Sequence, residues 1–439
     1  MQDEHHNIPT GRFQRFMKLS TLSSQVTASV VGQKVKGLFQ KEEDRVKSAL
    51  ETQLKNAERM VETMGHLKGA IMKVGQMISL HDGEGMPREL TEVLSRLQSQ
   101  APPLAYARVQ EQLQASFDAP AEKLFAEFSL QPIASASLGQ VHRARTHEGQ
   151  LVAVKVQYPG IADTISSDLK NLRTMLDTMG IMSRRFDSDG IFAEIQKHLL
   201  EEVDYVQEAI HLEQFRALYA HDPRVVIPRY YPRLSSERVL TMELIEGMST
   251  QEMLDSGLSQ EARNQLGMHV LDIFLQQLLH FDLIHADPHH GNYLFLKDGR
   301  VALLDFGCVK KLPPGFMKNY RALTYSVLKN DRTKMVKYLI ELGFLENAQN
   351  EKANDLLIDI TRMFLTPFLE DKVYPFANSN LHVEAAEIPK RFLTLGRMTF
   401  PPDALYVNRV FIGLYFLLRK LEASANWHRL MMKRLEQLT

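Results

Sequence analysis

Two polar motifs near the middle of the chain constrain its fold more than any other feature. The first, at 285–292, reads His-Ala-Asp-Pro-His-His-Gly-Asn, and the second, at 305–307, reads Asp-Phe-Gly. Between them, apolar runs at 293–296 and 301–304 flank Lys-Asp-Gly-Arg, a sequence typical of a β-hairpin turn. Each motif alone would be a weak signal. Because a hairpin fixes the distance between them, two unrelated polar loops are a poor explanation of the pattern.

The side chains of these motifs are the ones that phosphoryl transfer requires. Such transfer needs a cation that neutralises phosphate charge and a group that positions the nucleophile, with little covalent chemistry from the protein. Asn292 and Asp305 supply hard oxygen atoms of the kind that Mg²⁺ prefers. Asp287 is placed to orient or deprotonate the attacking group. The expected cofactors are therefore ATP and Mg²⁺.

The region from 129 to 157 predicts a nucleotide-binding unit of three strands. Small residues separate the first two strands: Ala134, Ser135, Ala136 and Ser137. In such a loop, backbone N–H groups can approach phosphate. Lys155 ends the pattern Val-Ala-Val-Lys in the third strand, as does the lysine that contacts the α- and β-phosphates in kinases. Taken alone, a lysine at this position would more commonly lie on the solvent-exposed face of a strand.

An acidic helix follows this unit. Residues 191–215 predict one amphipathic helix in which Glu208 shares a face with Asp204. Glu202 lies about 120° away from Glu208 on a helix of 3.6 residues per turn. One helix can therefore send Glu208 to Lys155 and turn Glu202 elsewhere, although a solvated acidic face is the common alternative.

A strand over 238–244 has the form of the hinge between two kinase lobes. It would bring Met242 near the adenine ring, with the backbone from Glu243 to Ile245 reading the edge of the base. A helix from about 259 to 281 then leads to the catalytic motif. After Asp-Phe-Gly there is no Ala-Pro-Glu segment, along which a protein kinase lays its peptide substrate. The remaining chain, from 316, predicts helices broken at prolines.

Composition excludes several other classes of protein. A formal net charge of −1 over 439 residues gives no electrostatic case for nucleic-acid binding. The single cysteine excludes an internal disulfide framework and suits a reducing compartment. No apolar run reaches the roughly 18 residues that span a bilayer, and the opening sequence has no signal-peptide pattern. We therefore expect a cytoplasmic protein. Residues 1–50 fit either a loosely packed extension or a weakly amphipathic helix that touches anionic lipid.

Residues 51–81 predict a helix with an apolar stripe. Its other face carries two glycines and two polar side chains: Gly65, Gly69, Lys73 and Gln76. Because glycine weakens a helix, this pair indicates close approach to another backbone. From the residues alone, the simpler interpretation is that Lys73 and Gln76 are exposed to solvent on an ordinary helix.

Together these motifs closely resemble the UbiB/AarF family of atypical protein-kinase-like proteins, from about residue 50 to the C-terminus. Lys73–Gln76 matches its KxGQ motif, Ala134–Ser137 its Ala-rich nucleotide loop, and Glu202–Asp204 its ExD motif. Ser135 stands where the family often has Ala. The resemblance implies that the KxGQ helix folds over the active site and that its lysine can pair with the ExD carboxylate. These residues would then be regulatory and would block a docking protein substrate.

The sequence thus predicts an α+β, bilobal protein-kinase-like fold with an N-terminal helical extension and a helical C-terminal region. Its expected divisions are an extension at 1–50, a helical KxGQ segment at 51–128, an N-lobe at 129–246 and a C-lobe at 247–439. By resemblance, the protein binds and hydrolyses ATP or transfers phosphate to a small molecule in ubiquinone or isoprenoid-lipid biosynthesis. Its partners would be ATP or ADP, quinone or isoprenoid-lipid precursors and their biosynthetic enzymes, with peripheral contact to an anionic inner membrane.

Two alternatives remain open. One is a nucleotide-gated scaffold or lipid-binding chaperone for biosynthetic enzymes. The other is a small-molecule kinase of the aminoglycoside or choline type, against which the KxGQ and ExD motifs count.

Overall fold

The computed structural model describes residues 105–136, 138–178, 188–388, 391 and 401–437. The predicted site residues Lys73, Gln76 and Ser137 lie outside the described residues, as does the predicted N-terminal extension. The chain divides into two compact units. The first extends to Gln207 and includes Tyr231–Glu243, and the second comprises Glu208–Tyr230 and the chain from Leu244 onward.

Strands and helices alternate in the first half of the described chain, and helices dominate the second. The strands are β1 (Glu127–Phe128), β2 (Ala134–Ala136), β3 (Gly139–Arg145), β4 (Leu151–Gln157), β5 (Val225–Val226), β6 (Val239–Glu243), β7 (Leu283–His285), β8 (Tyr293–Phe295), β9 (Val301–Leu303), β10 (Val309–Lys311), β11 (Tyr374–Pro375) and β12 (Ser424–Ala425). The helices are α1 (Tyr106–Phe117), α2 (Ala121–Leu124), α3 (Ile161–Thr178), α4 (Ser188–Glu202), α5 (Tyr205–Leu218), α6 (Thr250–Asp255), α7 (Gln260–Gln276), α8 (Pro314–Leu328), α9 (Arg332–Glu341), α10 (Glu351–Leu365), α11 (Leu381–Ala386), α12 (Pro402–Lys420) and α13 (Trp427–Glu436).

The first unit is built on an antiparallel sheet. Its strands run in the order β1-β3-β4-β6, and β2 also pairs with β3. Every residue of β4 after Leu151 is buried, because β4 lies between two strands and helix α1 packs on the sheet. Val109 and Leu113 of α1 join a core that includes Val152 and Val154 of β4. This packing holds β4 rigidly and so fixes the position of Lys155.

The predicted single helix over 191–215 is wrong, because the chain breaks between α4 and α5. The Oδ1 atom of Asp204 accepts a hydrogen bond from the backbone N–H of Gln207 at 2.9 Å. An aspartate in this position satisfies a backbone donor that would otherwise be unpaired at a helix start. The side chain of Gln157 donates to the carbonyl of Val203 at 2.5 Å and ties the break to β4. Glu202 and Glu208 therefore lie on different helices, and the angle expected between them does not apply.

The second unit contains the predicted hairpin and the helix that leads to it. β8 pairs antiparallel with β9, and Gly299 in the connecting turn has a positive φ of 85°, a conformation that glycine adopts at little cost. Helix α7 continues into a π-helical turn, Gln277–Phe281. The expected apolar stripe, which runs along α7 and into this turn, is buried: Leu266, Val270, Ile273, Phe274 and Leu278. The hairpin and the buried stripe are both confirmed.

The C-terminal helices surround an aromatic core. Trp427 is fully buried, packs against Phe376 with 5.2 Å between ring centroids and donates its indole N–H to the carbonyl of Tyr374 at 2.7 Å. Prolines interrupt or begin elements here as expected, since α12 begins at Pro402 and β11 ends at Pro375. Among the described helices, none has the length and apolar composition needed to cross a bilayer.

Candidate active site

The catalytic motif in the second unit is held by hydrogen bonds around Asp287. The Nδ2 atom of Asn292 donates to the backbone carbonyl of Asp287 at 3.0 Å and to its Oδ2 atom at 3.3 Å. A 3₁₀ turn at His290–Asn292 carries the amide back towards the aspartate. The backbone N–H of Leu304 donates to the carbonyl of Asn292 at 3.1 Å, which joins the motif to the far end of the hairpin.

The second motif begins where β9 ends. The Oδ1 atom of Asp305 accepts a hydrogen bond from the backbone N–H of Gly307 at 2.9 Å, and its carbonyl accepts one from Nε2 of His285. His285 is itself fixed, because its backbone N–H donates to Oε1 of Gln277 at 2.9 Å. His285, the first residue of the catalytic motif, thus connects that motif to Asp305, the proposed metal-binding aspartate.

Phe306 anchors the Asp-Phe-Gly turn. Its side chain is fully buried and packs against Phe215 of α5 with 5.2 Å between ring centroids and against His285 at 5.8 Å. A ring nitrogen of His211 lies 3.1 Å from the carbonyl of Phe306. These contacts leave the turn little freedom, so the carboxylate of Asp305 has a fixed direction.

Glu208 reaches the same turn. Its side chain is 1% exposed. A Cβ atom added at Gly307 would lie 3.2 Å from Oδ1 of Asp305 and 3.7 Å from Oε2 of Glu208. The second unit therefore brings two carboxylates to Gly307. The predicted pairing of Glu208 with Lys155 stays a prediction.

Lys155 in the first unit is buried and lies over an aromatic ring. It is 5% exposed, so the solvent-facing alternative for this lysine is wrong. Its Nζ atom lies 5.0 Å from the ring centroid of Tyr205, a distance at which a cation and an aromatic face attract each other. The break before α5 makes Tyr205 the first residue of that helix, which explains how the ring meets β4.

Tyr205 also packs against the start of β3. A Cβ atom at Gly139 would lie 2.9 Å from Oη of Tyr205 and 2.5 Å from the carbonyl oxygen of Val156. No other residue fits at position 139 without displacing backbone. Sequence reasoning missed Tyr205 and Gly139, and a glycine two positions after a run of small residues was the available signal.

Ala134, Ser135 and Ala136 do not form the predicted loop. Ala134–Ala136 is strand β2, and Ala134 and Ala136 lie opposite Val141 and Gly139 of β3. Alanine and serine can follow an extended path as readily as a loop, and hydrogen bonding to β3 decides between them. Backbone pairing with β3 therefore occupies much of the segment that was expected to surround phosphate.

The hinge and ExD positions are distributed over several elements. Met242 is buried in β6 opposite Ala153 of β4. Glu243 ends β6 and is exposed, and Ile245 follows in a segment without regular secondary structure. Glu202 is partly exposed at the end of α4, and Asp204 is exposed. The roles in nucleotide binding and regulation that we assigned to these residues stay predictions.

Two histidines follow Pro288 in the catalytic motif and stack with 4.4 Å between ring centroids. Burial lowers the pKa of the His290 imidazole below its usual value, and the charge of Lys420 acts in the same direction. Nδ1 of His289 accepts the backbone N–H of Gly291 at 3.1 Å. In the neutral form of His289, the ring proton is therefore on Nε2.

The fold and this arrangement of Asp, Asn and Asp-Phe-Gly define a kinase-like protein. Residues 96–339 match the family described as "ABC1 atypical kinase-like domain", which is more than half of the chain. The chain belongs to this family.

Individual relatives agree with this assignment. The chain is 28% identical over 97% of its length to "Atypical kinase COQ8, mitochondrial" of Saccharomyces cerevisiae, of which it covers 85%. It is 28% identical over 97% of its length to "Probable serine/threonine-protein kinase abkA" of Dictyostelium discoideum, of which it covers 79%. Among solved structures, a complex of Rv3197 with erythromycin from Mycobacterium tuberculosis has a TM-score of 0.60 and 26% identity, with 89% of this chain and 97% of that one covered.

These comparisons confirm the predicted family, the α+β kinase-like fold and the class of enzyme, an atypical kinase. ATP binding is general to such a family, and the relatives of this chain include proteins named atypical kinase COQ8. The dependence on Mg²⁺, the phosphoryl acceptor, the partners, the domain boundaries and the role of each site residue stay predictions. So does the cytoplasmic location, since relatives are named mitochondrial and chloroplastic.

Proposed function

We propose that this protein binds ATP with Mg²⁺ and transfers the γ-phosphoryl group to water or to a small molecule, in support of ubiquinone or isoprenoid-lipid biosynthesis. One observation carries the proposal. Asn292 donates its amide hydrogens to Asp287, and the backbone of Leu304 ties Asn292 to the strand end that precedes Asp305. The proposed base, amide ligand and carboxylate ligand are therefore held together at the open end of one hairpin.

The donor atoms fit Mg²⁺. Because Nδ2 of Asn292 is used in hydrogen bonds to Asp287, Oδ1 is the atom that would coordinate the metal, beside the carboxylate of Asp305. In the described part of the chain, no group of three or more His, Cys, Asp or Glu side chains could hold a metal ion. Mg²⁺ at phosphoryl-transfer sites commonly takes one or two protein ligands and completes its shell with water and phosphate oxygens. When bound, it would neutralise charge on the phosphates.

The remaining roles follow from the same proposal. Lys155 would hold the α- and β-phosphates, and Glu208 would orient it. Met242 would lie near the adenine ring, and the backbone from Glu243 to Ile245 would contact the edge of this nucleobase. Burial of Lys155 supports its role, since a buried ammonium group requires compensating negative charge.

The regulatory part of the proposal concerns the KxGQ and ExD motifs. Lys73 and Gln76 would cover the active site and pair with Glu202 and Asp204, which disfavours a protein substrate. Quinone or isoprenoid-lipid precursors and their biosynthetic enzymes are the proposed partners. The proposed location is cytoplasmic, in peripheral contact with an anionic inner membrane.

Mg²⁺-dependent ADP release by the purified protein tests this function. The assay is run with EDTA or Mg²⁺, and with neutral or anionic liposomes in the presence or absence of a phenol that mimics a quinone precursor. We expect release only with Mg²⁺, and faster release with anionic liposomes and the phenol. Tight nucleotide binding without release under any of these conditions would favour a nucleotide-gated scaffold instead.

A small-molecule kinase is the second candidate, and the solved relative in complex with erythromycin favours it. In that case the acceptor is a hydroxylated compound. Radiolabelled ATP offered with a panel of hydroxylated acceptors, macrolides and amino-sugars among them, separates the two candidates. Label transferred to one acceptor class supports the kinase, and label released only as inorganic phosphate supports the ATPase.

A further inference from the structure

The C-terminal helix α12 contacts the catalytic motif at two points within the second unit. The guanidinium group of Arg409 donates to the backbone carbonyl of Ala286, the residue directly before Asp287. One turn further along, Gly413 lies against Pro288, the residue directly after Asp287, and an added Cβ atom would come within 2.5 Å of Cβ of Pro288. The two residues that flank the proposed base are thus held by one helix.

The same guanidinium group reaches the segment after Asp-Phe-Gly. The Nη2 atom of Arg409 lies 3.2 Å from Sγ of Cys308. The backbone N–H of Ala286 in turn donates to the carbonyl of Cys308 at 2.8 Å. Arg409 therefore bridges the strand end that carries Asp287 and the turn that carries Asp305.

We propose that Arg409 is a positioning residue for phosphoryl transfer. It holds the backbone before Asp287 through Ala286 and the segment after Asp305 through Cys308, while Gly413 gives α12 room to approach Pro288. This inference rests on the function proposed above. Arg409 lies beyond residues 96–339, which match the family domain, so the C-terminal region supplies part of the active-site scaffold.

Helix α12 does not depend on Arg409 for its own placement. Phe411 of this helix packs edge-to-face against Phe274 of α7 with 5.4 Å between ring centroids. The carboxylate of Asp403 lies 3.6 Å from Nζ of Lys310 in β10. With these anchors, a protein that lacks the guanidinium group is expected to fold, and its loss should act on the catalytic loop.

The test compares Arg409→Met with Arg429→Met in the full chain. Arg429 is a matched control on α13, where its side chain is 74% exposed and pairs with Asp371 at 2.8 Å. For Arg409→Met we expect kcat for ADP release to fall about 10- to 100-fold, the scale of effects from small misplacements of catalytic groups. The KM for ATP should change less than kcat, because Arg409 contacts the loop of the base and not the proposed nucleotide-holding residues. Arg409→Lys, which keeps the charge and one donor, should recover part of kcat.

Hydrogen–deuterium exchange of the peptide that covers 284–292 provides a readout independent of turnover. We expect faster exchange in Arg409→Met than in wild type and in Arg429→Met. If wild type releases no ADP, the proposed function fails, and the exchange rates alone decide the positioning role. If wild type is active and Arg409→Met has the same kcat, or if its exchange is unchanged, the inference is overturned. Should Arg409→Met fail to fold, the same comparisons with Arg409→Lys decide.

Discussion

The side-chain amide of Asn292 holds Asp287 and is the proposed ligand of the cation. Its Nδ2 atom donates to the carbonyl and the carboxylate of Asp287, which leaves its oxygen as the atom suited to a cation. A carboxylate at 292 would supply the oxygen but would repel Asp287 and could donate nothing to it. The asymmetry of the amide therefore suits the proposed cation ligand at this position better than the charge of a second aspartate would.

Replacing Asp287 with asparagine tests the assigned base. An amide oxygen at 287 can still accept from Nδ2 of Asn292, so the local geometry should survive. Loss of a general base typically lowers the rate about 10²- to 10⁴-fold, and we expect a fall in that range for ADP release by Asp287→Asn. The Kd for ATP, measured with a fluorescent analogue, should stay close to that of wild type. An unchanged rate would remove Asp287 from the mechanism.

At the scale of secondary-structure elements, Asp204 determines where helix α5 begins. The hydrogen bond to Gln207 caps the helix and thereby brings Tyr205 under Lys155. The ExD aspartate thus has a structural task in this protein in addition to the proposed regulatory one. The two tasks differ chemically, since capping requires a side-chain oxygen and pairing with a lysine requires a negative charge.

Two substitutions at 204 separate these tasks. Asp204→Ala removes the cap and is expected to lower the free energy of unfolding by about 1 kcal/mol. Asp204→Asn keeps a capping oxygen, so its unfolding curve in urea should coincide with that of wild type while any effect of the charge on ADP release remains. Equal stability of Asp204→Ala and wild type would show that the cap contributes nothing.

The elements that local sequence specifies were predictable. The Asp-Gly turn determined the β8–β9 hairpin, and the spacing of Leu266, Val270 and Phe274 determined the buried face of α7. The break at Asp204 was missed because acidic residues continue the helical pattern, although aspartate is also a preferred cap. Strand β2 was missed because pairing with β3, and not its own composition, makes it extended.

At the scale of the whole molecule, the C-terminal region beyond the family match is an integral part of the second unit. Arg434 of α13 forms two hydrogen bonds of 2.6 Å each with Asp272 of α7. Burial raises the pKa of Asp272, but the hydrogen bonds and charges of Arg434 and Arg224 outweigh it, and the pKa lies below its usual value. The pairing of Asp272 with Arg434 and Arg224 therefore stabilises the fold fully above the unfolded-state pKa of Asp272, which is about 4. This stabilisation is lost as pH falls through the lower folded-state pKa.

Contacts of this long range were beyond sequence reasoning. Arg409 and Ala286 are 123 positions apart, and nothing in the local pattern of a helix indicates which distant carbonyl an arginine meets. The glycine at 413 in an otherwise apolar helix was visible, but its partner Pro288 was not. The motifs of the proposed site were therefore visible in the sequence, and the long-range contacts that hold them were not.

ADP release by Asp305→Asn tests the central claim most directly, with nucleotide binding measured on the same preparation. An asparagine at 305 keeps an oxygen that can accept the N–H of Gly307, so the turn should persist while the carboxylate charge is lost. Arg429→Met serves as the control for handling and folding. The account predicts that Mg²⁺-dependent ADP release falls to background in Asp305→Asn while wild type and the control remain active. Full activity of Asp305→Asn would contradict it.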